Sequence, residues 1–402
     1  MKTRISGSPI LTIRNEKDLY VDGIKALEII EDKELPFFLY SESVIRKNCK
    51  EFMSKLKKHF KIFQVFYSYK SNPYQDICKI IHSEGLGAEV VSTIELQIAL
   101  DLNIPIDDIE IGTPYLTDNL LEKAYSNNIS KISCWSLSQL DMIKKFSSKR
   151  NTPLDLFIRI KPNQYKKTIG IKHSKDEIIK IKDTINSTNL KIIGLQSHLS
   201  TQMLDIKLHL ENLQLVLDTF NLYEKNGINS IKEFNLGGGF PEATILKPDQ
   251  LENIFASLKD KLSETGHKDK KIIFEPGRYM VSDAGIAFSK VIDVFEDFGE
   301  KWIRLNIGTN ILPRSSKSNF KFFCVNKISQ SNDGKINILG NLPSDMDFFL
   351  KNYLNVKDIV VGDIFMITNA GAYTKTWSTR FLYPDPDHYL LNSDKEIKKM
   401  KF

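Results

Sequence analysis

The chain has 402 residues, 41% apolar and 26% charged, a soluble globular composition with core enough for one barrel-sized domain and a smaller one. Lysine and arginine outnumber aspartate and glutamate by 56 to 50, but the surplus of +6 is spread over the whole length, which excludes the basic stripe of a nucleic-acid binder. No run approaches the roughly 18 apolar residues that span a bilayer, no apolar segment follows the first residues, and the four cysteines form no CxxC pair, so the expectation is a cytoplasmic protein in a reducing compartment with no membrane partner.

Residues 1–37 alternate short apolar runs with turn and charge clusters, and 10–13 and 27–30 read as strands. After Pro36 the run Phe37-Phe38-Leu39-Tyr40 leads through Ser41-Glu42-Ser43 into a helical segment carrying Val44, Phe52 and Leu56. Next comes Phe66-Tyr67-Ser68-Tyr69-Lys70-Ser71-Asn72-Pro73, which starts with strand character and ends in a turn signal, placing Lys70 where a strand stops. Taken alone, such a lysine is more often a solvated strand end than a chemical group.

Apolar, β-rich runs then recur, ending near Lys70, Val91, Gly112, Trp135, Arg159, His198, Leu236 and Glu275, eight in all. Between them, 92–102, 117–127 and 136–148 have the spacing of amphipathic helices. Strands alternating with helices mean parallel strands and right-handed crossovers, and eight units over roughly 240 residues predict a closed (β/α)8 TIM barrel. The predicted barrel runs from 38 to 283, and a β-rich domain is built from 1–37 and 284–402. In the latter, 291–295, 302–306, 321–327, 336–339 and 363–368 read as strands, the N-terminal strands join them, and the lysine-rich 395–401 reads as a solvated tail.

In such a barrel the active site lies at the C-terminal strand ends, where Lys70, Glu89, Arg159, His198, Gly237-Gly238-Gly239 and Glu275 all fall. Asn235-Leu236-Gly237-Gly238-Gly239-Phe240-Pro241 lets a backbone approach an anion, although a glycine triplet is also compatible with a bare loop. Glu275-Pro276-Gly277-Arg278 offers a carboxylate and a guanidinium beside another glycine, or a surface turn with an ion pair. His198 is followed by hydroxyls, and a lone histidine is more often a satisfied core residue. Together, a terminal lysine, two phosphate-type loops, a stacking histidine and an acid point to pyridoxal phosphate, while seven scattered histidines predict no metal site.

The motifs Tyr67-Ser68-Tyr69-Lys70-Ser71-Asn72, Gly87-Ala88-Glu89-Val90-Val91-Ser92 with Glu95, His198, Gly237-Gly238-Gly239-Phe240, Glu275-Pro276-Gly277-Arg278 and Gly371-Ala372-Tyr373 are spread from about Pro36 to Pro384. In this combination the sequence resembles the fold-type III pyridoxal phosphate decarboxylases, the group of the diaminopimelate, ornithine and carboxynorspermidine enzymes. The resemblance implies an alanine racemase-like barrel with a C-terminal β domain, amino-acid decarboxylation, and a homodimer with its active sites at the interface. By the same resemblance Lys70 bonds the cofactor aldehyde, His198 stacks on the ring and Glu275 pairs with the pyridine nitrogen. Thr201, Gly237, Gly238, Gly239, Gly277, Arg278 and Tyr373 are implied around the phosphate, with Glu89 and Arg159 near the ring.

Three departures stand out. The family's Gly-Pro-x-Cys, whose cysteine reaches across the dimer as an acid, is replaced by Gly340-Asn341-Leu342-Pro343-Ser344-Asp345-Met346-Asp347, and neither alignment of that run restores a thiol. Asp347 is the first choice for a substitute acid, with Lys70, a water, Ser344 or Asp345 as other sources, and Asp345 and Asp347 are also expected to grip the substrate. His198-Leu199-Ser200-Thr201 stands where His-x-Gly-Ser is usual, and Thr201 keeps a hydroxyl. The loop 306–314 resembles the substrate-carboxylate loop of the diaminopimelate enzymes and makes Arg314 a substrate ligand, but Ser318 is nearest the place of the tyrosine that normally follows. The leading expectation is therefore an amino-acid decarboxylase of unsettled substrate. A decarboxylase of a citryl-diamino acid siderophore intermediate or of a carrier-bound amino acid, and a non-catalytic cofactor-binding homologue, are the alternatives.

Overall fold

The structure is a computed structural model that describes residues 3–4, 11–14, 17–150, 153–162 and 168–401. Eight parallel strands close into a barrel: β1 (Phe63–Ser68), β2 (Gly87–Val90), β3 (Ile109–Gly112), β4 (Lys131–Cys134), β5 (Leu154–Arg159), β6 (Leu190–Gln196), β7 (Glu233–Asn235) and β8 (Lys271–Phe274). Closure is made by β8 on β1, with Ile272 opposite Phe63. Each strand ends within two residues of the position read from the sequence.

The helices form because their first turns are capped and one face is apolar. Ser92 Oγ accepts from Glu95 N at 3.2 Å and so caps the helix Thr93–Asp101, while Glu95 Oε2 reaches back to accept from Val91 N, one residue before the cap, at 2.8 Å. Thr117 Oγ1 accepts from Leu120 N at 3.2 Å to open Asp118–Ser126, which buries Leu120, Leu121 and Ala124 and leaves its polar side to water. The helix Glu42–His59 is fixed to the barrel wall by Phe52, whose ring meets Phe240 and Phe255 edge-on at 5.0 and 5.2 Å. With helices outside and side chains inside, all four residues of β2 are buried, the glutamate included.

The β-rich part centres on the long strand Gly285–Asp297, which pairs antiparallel with Phe37–Ser41, Ile364–Thr368 and Glu300–Leu305. The whole of Phe37–Ser41 thus lies in this sheet, with Ser41 both its last residue and the cap of the helix Glu42–His59. The N-terminal strands do not join it. Thr3–Arg4, Leu11–Arg14, Asp18–Val21 and Ile24–Lys25 make a four-stranded sheet of their own.

Two local expectations fail for clear reasons. Segment 27–30 is helical, in Ala26–Ile30, because Ala26, Ile29 and Ile30 lie three and four apart and bury one face. The lysine-rich end is no solvated tail: Ile397–Lys399 pairs antiparallel with Asp387–Leu391, and Met400 is buried. The strand Phe348–Asn355 escapes the sequence reading because it is half exposed, carries Lys351 and Asn352, and pairs with Gly334–Leu339 through shifted registers that break the alternation. Among the described residues no helix is long and apolar enough to cross a membrane.

Candidate active site

Strand β1 ends at Ser68, and a single 3-10 turn, Tyr69–Ser71, carries Lys70 over the barrel mouth. The turn is held from inside by Ser71 Oγ donating to Ser68 O at 2.7 Å and by Tyr67 OH donating to Asn72 O at 2.9 Å. From the β-rich side, Thr376 Oγ1 donates to Lys70 O at 2.9 Å and Tyr373 N to Ser71 O at 2.7 Å. A clamped backbone leaves Lys70 only its side chain to move. Nζ donates to Ser68 Oγ at 2.7 Å and to the buried Glu89 carboxylate. Burial opposes the charge on Lys70, but Glu89, Tyr373 and Glu275 outweigh it and hold the ammonium pKa above the ordinary lysine value.

Across the mouth, Glu275 follows β8, and its Oε1 accepts from Gln196 Nε2 and from Asn235 Nδ2 at 2.6 Å. Burial, with Glu89 adding to it, pushes its carboxyl up, while Lys70 and Arg159 pull it down. Arg159 closes β5 with its guanidinium 4.7 Å from the centre of the Trp135 ring, and burial lowers its pKa against the pull of Glu275, Glu89 and Glu110.

The two glycine loops meet beside these groups. A Cβ at Gly238 would lie 2.5 Å from Glu275 O, and Gly239 has φ 89° with Ser200 O at the same 2.5 Å from its missing Cβ, so no side chain is tolerated at either. His198 Nδ1 accepts from Gly238 N at 3.1 Å, which leaves the proton of the neutral ring on Nε2. Tyr373 takes φ 61°, a left-handed conformation rare outside glycine, and its ring lies 5.0 Å from the Arg278 guanidinium. Arg278 is itself buried: Nη1 donates to Ser318 Oγ at 3.0 Å and to the fully buried Glu242 at 3.3 Å, and Nη2 to Ser316 O.

One cavity of about 360 Å³ joins them, lined by Lys70, Glu89, Arg159, His198, Thr201, Gly238, Gly239, Glu275, Gly277, Arg278 and Tyr373. Gly237 stands just behind it, its missing Cβ 3.0 Å from that of His198.

Arg314, Asp345 and Asp347, expected at the substrate, do not reach this cavity within the single chain. Arg314 is exposed and turns away to the ring of Phe348, 3.6 Å from its centre. Asp345 is exposed on the 340s turn. Asp347 is buried with both oxygens committed: Oδ1 accepts from Thr309 N and Oγ1 at 2.7 and 2.8 Å, and Oδ2 from Leu342 N at 2.7 Å. It ties the 340s turn to the 306–314 loop and is not placed as an acid toward Lys70. What the sequence reading missed is Ser68, Trp135, Gln196, Asn235, Glu110, Glu242 and Trp377. Several of these sit inside the quoted motifs or at strand ends, but an amide or an indole carries no signal of its own until a charge is placed beside it.

Comparison with known proteins accords with this geometry. Residues 43–282 match the model of the family described as pyridoxal-dependent decarboxylase, pyridoxal binding domain. The chain belongs to the pyridoxal-dependent decarboxylases. It is 26% identical to the diaminopimelate decarboxylase of Methanocaldococcus jannaschii over 99% of this chain and 95% of that one, and 26% identical to that of Aquifex aeolicus over 93% and 90%. In fold it is similar to the crystal structure of the M. jannaschii diaminopimelate decarboxylase, with TM-score 0.87, 24% identity and coverage of 98% and 96%. It is also similar to the lysine/ornithine decarboxylase of Vibrio vulnificus, with TM-score 0.78, 19% identity and coverage of 90% and 96%.

The protein is thus a pyridoxal 5′-phosphate-dependent amino-acid decarboxylase with the barrel and β-rich domain of that family. The residues present fit that cofactor. An amine for its aldehyde, a buried carboxyl for its ring nitrogen and a backbone cradle at Gly238, Gly239 and Gly277, where close protein neighbours exclude any Cβ, converge on one cavity.

Proposed function

We propose that Lys70 would hold the cofactor aldehyde, that Glu275 would pair with the ring nitrogen, and that His198 would stack on the ring. Thr201, Gly237, Gly238, Gly239, Gly277, Arg278 and Tyr373 would hold the phosphate, with Glu89 and Arg159 at the ring's edge. The observation that carries this reading is the Nζ of Lys70 held by Ser68 and Glu89 in the same cavity as Glu275 and the glycine cradle. The chemistry that bound pyridoxal 5′-phosphate supplies is uptake of the electron pair left when CO2 departs from the substrate's α-carbon.

The chain's own groups do the rest. Lys70, kept protonated beside Glu89, would hold a proton and return it to the substrate's α-carbon, the work the absent cysteine leaves undone. Asp347 is unsuited to it, its oxygens being engaged in its own loop. Arg278 is already balanced by Glu242 in a buried pair, which fixes the guanidinium in place at little net gain in stability.

For the substrate, the reading is an α-amino acid with a second polar end. The curated relatives are named diaminopimelate decarboxylases, while Ser318 stands where a tyrosine is expected, and that departure keeps a citryl or carrier-bound amino acid as the second reading. The working unit is a homodimer. Trp377, which lines the cavity, and the apolar Phe381 and Leu382 shortly after it in the chain are each at least half accessible and support a second copy covering them, so that its 340s turn, with Asp345, completes the site. The protein would work in the cytoplasm, which its free, buried cysteines fit.

The test is to incubate the protein and pyridoxal 5′-phosphate with diaminopimelate, ornithine, lysine and citryl-diamino acids, following CO2 and product by mass spectrometry. Release of CO2 and the matching amine from one of them is expected. A panel that yields no CO2 while the cofactor is bound would refute the substrate class.

A further inference from the structure

Inside the barrel, beneath Glu275, lies a second carboxyl that the reading above does not use. Glu110, in the middle of β3, has no solvent exposure. It meets Glu275 through two shared amides. Asn235 Nδ2 donates to Glu275 Oε1 at 2.6 Å and to Glu110 Oε2 at 3.1 Å. Gln196 Nε2 donates to Glu275 Oε1 and, at 3.4 Å, to Glu110 Oε1. Asn235 is fixed because its Oδ1 accepts from the backbone Gly237 N at 2.9 Å, and Gln196 keeps its Nε2 on the Glu275 carboxylate while its Oε1 accepts from Ser133 Oγ at 2.7 Å. All the amide protons are therefore aimed at the two carboxyls.

The hydroxyl of Ser133 has one proton to offer and the nearer claim on it is that of Gln196. Its Oγ lies 2.7 Å from Gln196 Oε1 and 3.1 Å from Glu110 Oε1, with one proton for two oxygens. With that proton spent on Gln196, the second contact is a hydrogen bond only when Glu110 is protonated and donates to Ser133. The surrounding charges agree. Burial first, then Glu275 and Glu89, push the Glu110 carboxyl well up, outweighing what a Ser133 proton turned toward Glu110, or the distant Lys131, would take back. Lys70 and Arg159, by contrast, favour the anion at Glu275.

We propose that Glu110 is a positioning residue, a neutral carboxylic acid that works through Gln196 and Asn235 to hold the Glu275 carboxylate, as an anion, toward the ring nitrogen of the cofactor. The two carboxyls then share donors without sharing charge, and Glu275 cannot swing into the barrel. This rests on the assignment of Glu275 made above.

The experiment compares Glu110→Gln with Glu110→Leu, each with and without pyridoxal 5′-phosphate. An amide reproduces the acid's acceptor and donor, so Glu110→Gln keeps kcat within about threefold and leaves the absorption spectrum of the bound cofactor unchanged. Glu110→Leu strands the amide donors, lowers kcat about tenfold or more with little change in KM, and shifts that spectrum. A third readout needs no cofactor. The folded parent keeps a proton that the unfolded chain releases above the ordinary glutamate pKa, so parent stability falls relative to Glu110→Gln as pH rises from about 5 to 8. A stability difference that stays flat with pH overturns the proton on Glu110, and that arm stands even if Glu110→Leu does not fold. A Glu110→Gln protein as impaired as Glu110→Leu overturns the neutral form. If instead Glu275→Gln leaves kcat and spectrum at parent values, the assignment of Glu275 is what falls.

Discussion

From the barrel, Lys70, Glu89, Arg159, His198 and Glu275 reach one cavity from five different strands or the turns that follow them. From the β-rich domain Tyr373, Trp377 and the 315–317 segment reach it, while Arg314, Asp345 and Asp347 face elsewhere. The difference is topological. Parallel strands in a closed barrel all end on the same face, so every chemical residue placed at a strand end is delivered to one mouth. Antiparallel strands send successive loops to opposite ends, and each loop needs its own anchor before its residues have a direction. Tyr373 has such an anchor in its bond to Ser71 O. Asp347 serves as the anchor itself, for the 306–314 loop.

Replacing Lys70 is the hardest blow to the barrel side. Lys70→Ala should abolish decarboxylation by about 10⁴-fold or more and remove the near-visible absorption of the lysine-bound cofactor, with the circular dichroism of the fold intact. Borohydride labelling at another lysine would show that the barrel delivers a different amine.

A smaller effect measures what a preorganised barrel costs. Burial lifts the Glu95 pKa from 4.5 to about 7, so the folded chain keeps a proton that the unfolded chain loses over that window. Stability present below pH 4.5 is accordingly lost as pH rises through about 7, by up to about 3 kcal/mol at 1.4 kcal/mol per unit. Glu95→Gln, able to keep the hydrogen bond to Val91, should gain on the parent between pH 5 and 8 in chemical denaturation; parallel curves would mean that Glu95 ionises in the fold as it does in water.

The least effect is expected on the other side of the comparison. Asp347→Asn should cost about 1–3 kcal/mol of stability through its lost backbone partners while keeping kcat within tenfold, and Asp345→Asn should stay within about 0.5 kcal/mol of the parent. A kcat loss beyond a hundredfold in Asp347→Asn at unchanged stability would give the loop a chemical role and erase the contrast between the two domains.

The alternation of apolar runs with helical spacing, ending at Lys70, Glu89, Arg159, His198 and Glu275, settled the barrel and the barrel side of its mouth, because a strand end in a closed parallel sheet has only one place to go. Hydrophobic period and turn chemistry are local, and they are enough there. They were not enough at Leu27–Ile30, where four apolar-rich residues fit either period and burial chose the helix, nor at 348–355, where pairing across a shifted register made the strand. Tertiary structure alone decided that Glu110 points inward to share amides with Glu275, 165 positions on, and that Glu242 and Arg278 form a buried pair. It also turned Asp347 inward and left Asp345 outside, two aspartates that are alike in sequence. Burial and hydrogen bonding act on what the closed chain brings together, and no local pattern records which distant partner will be there.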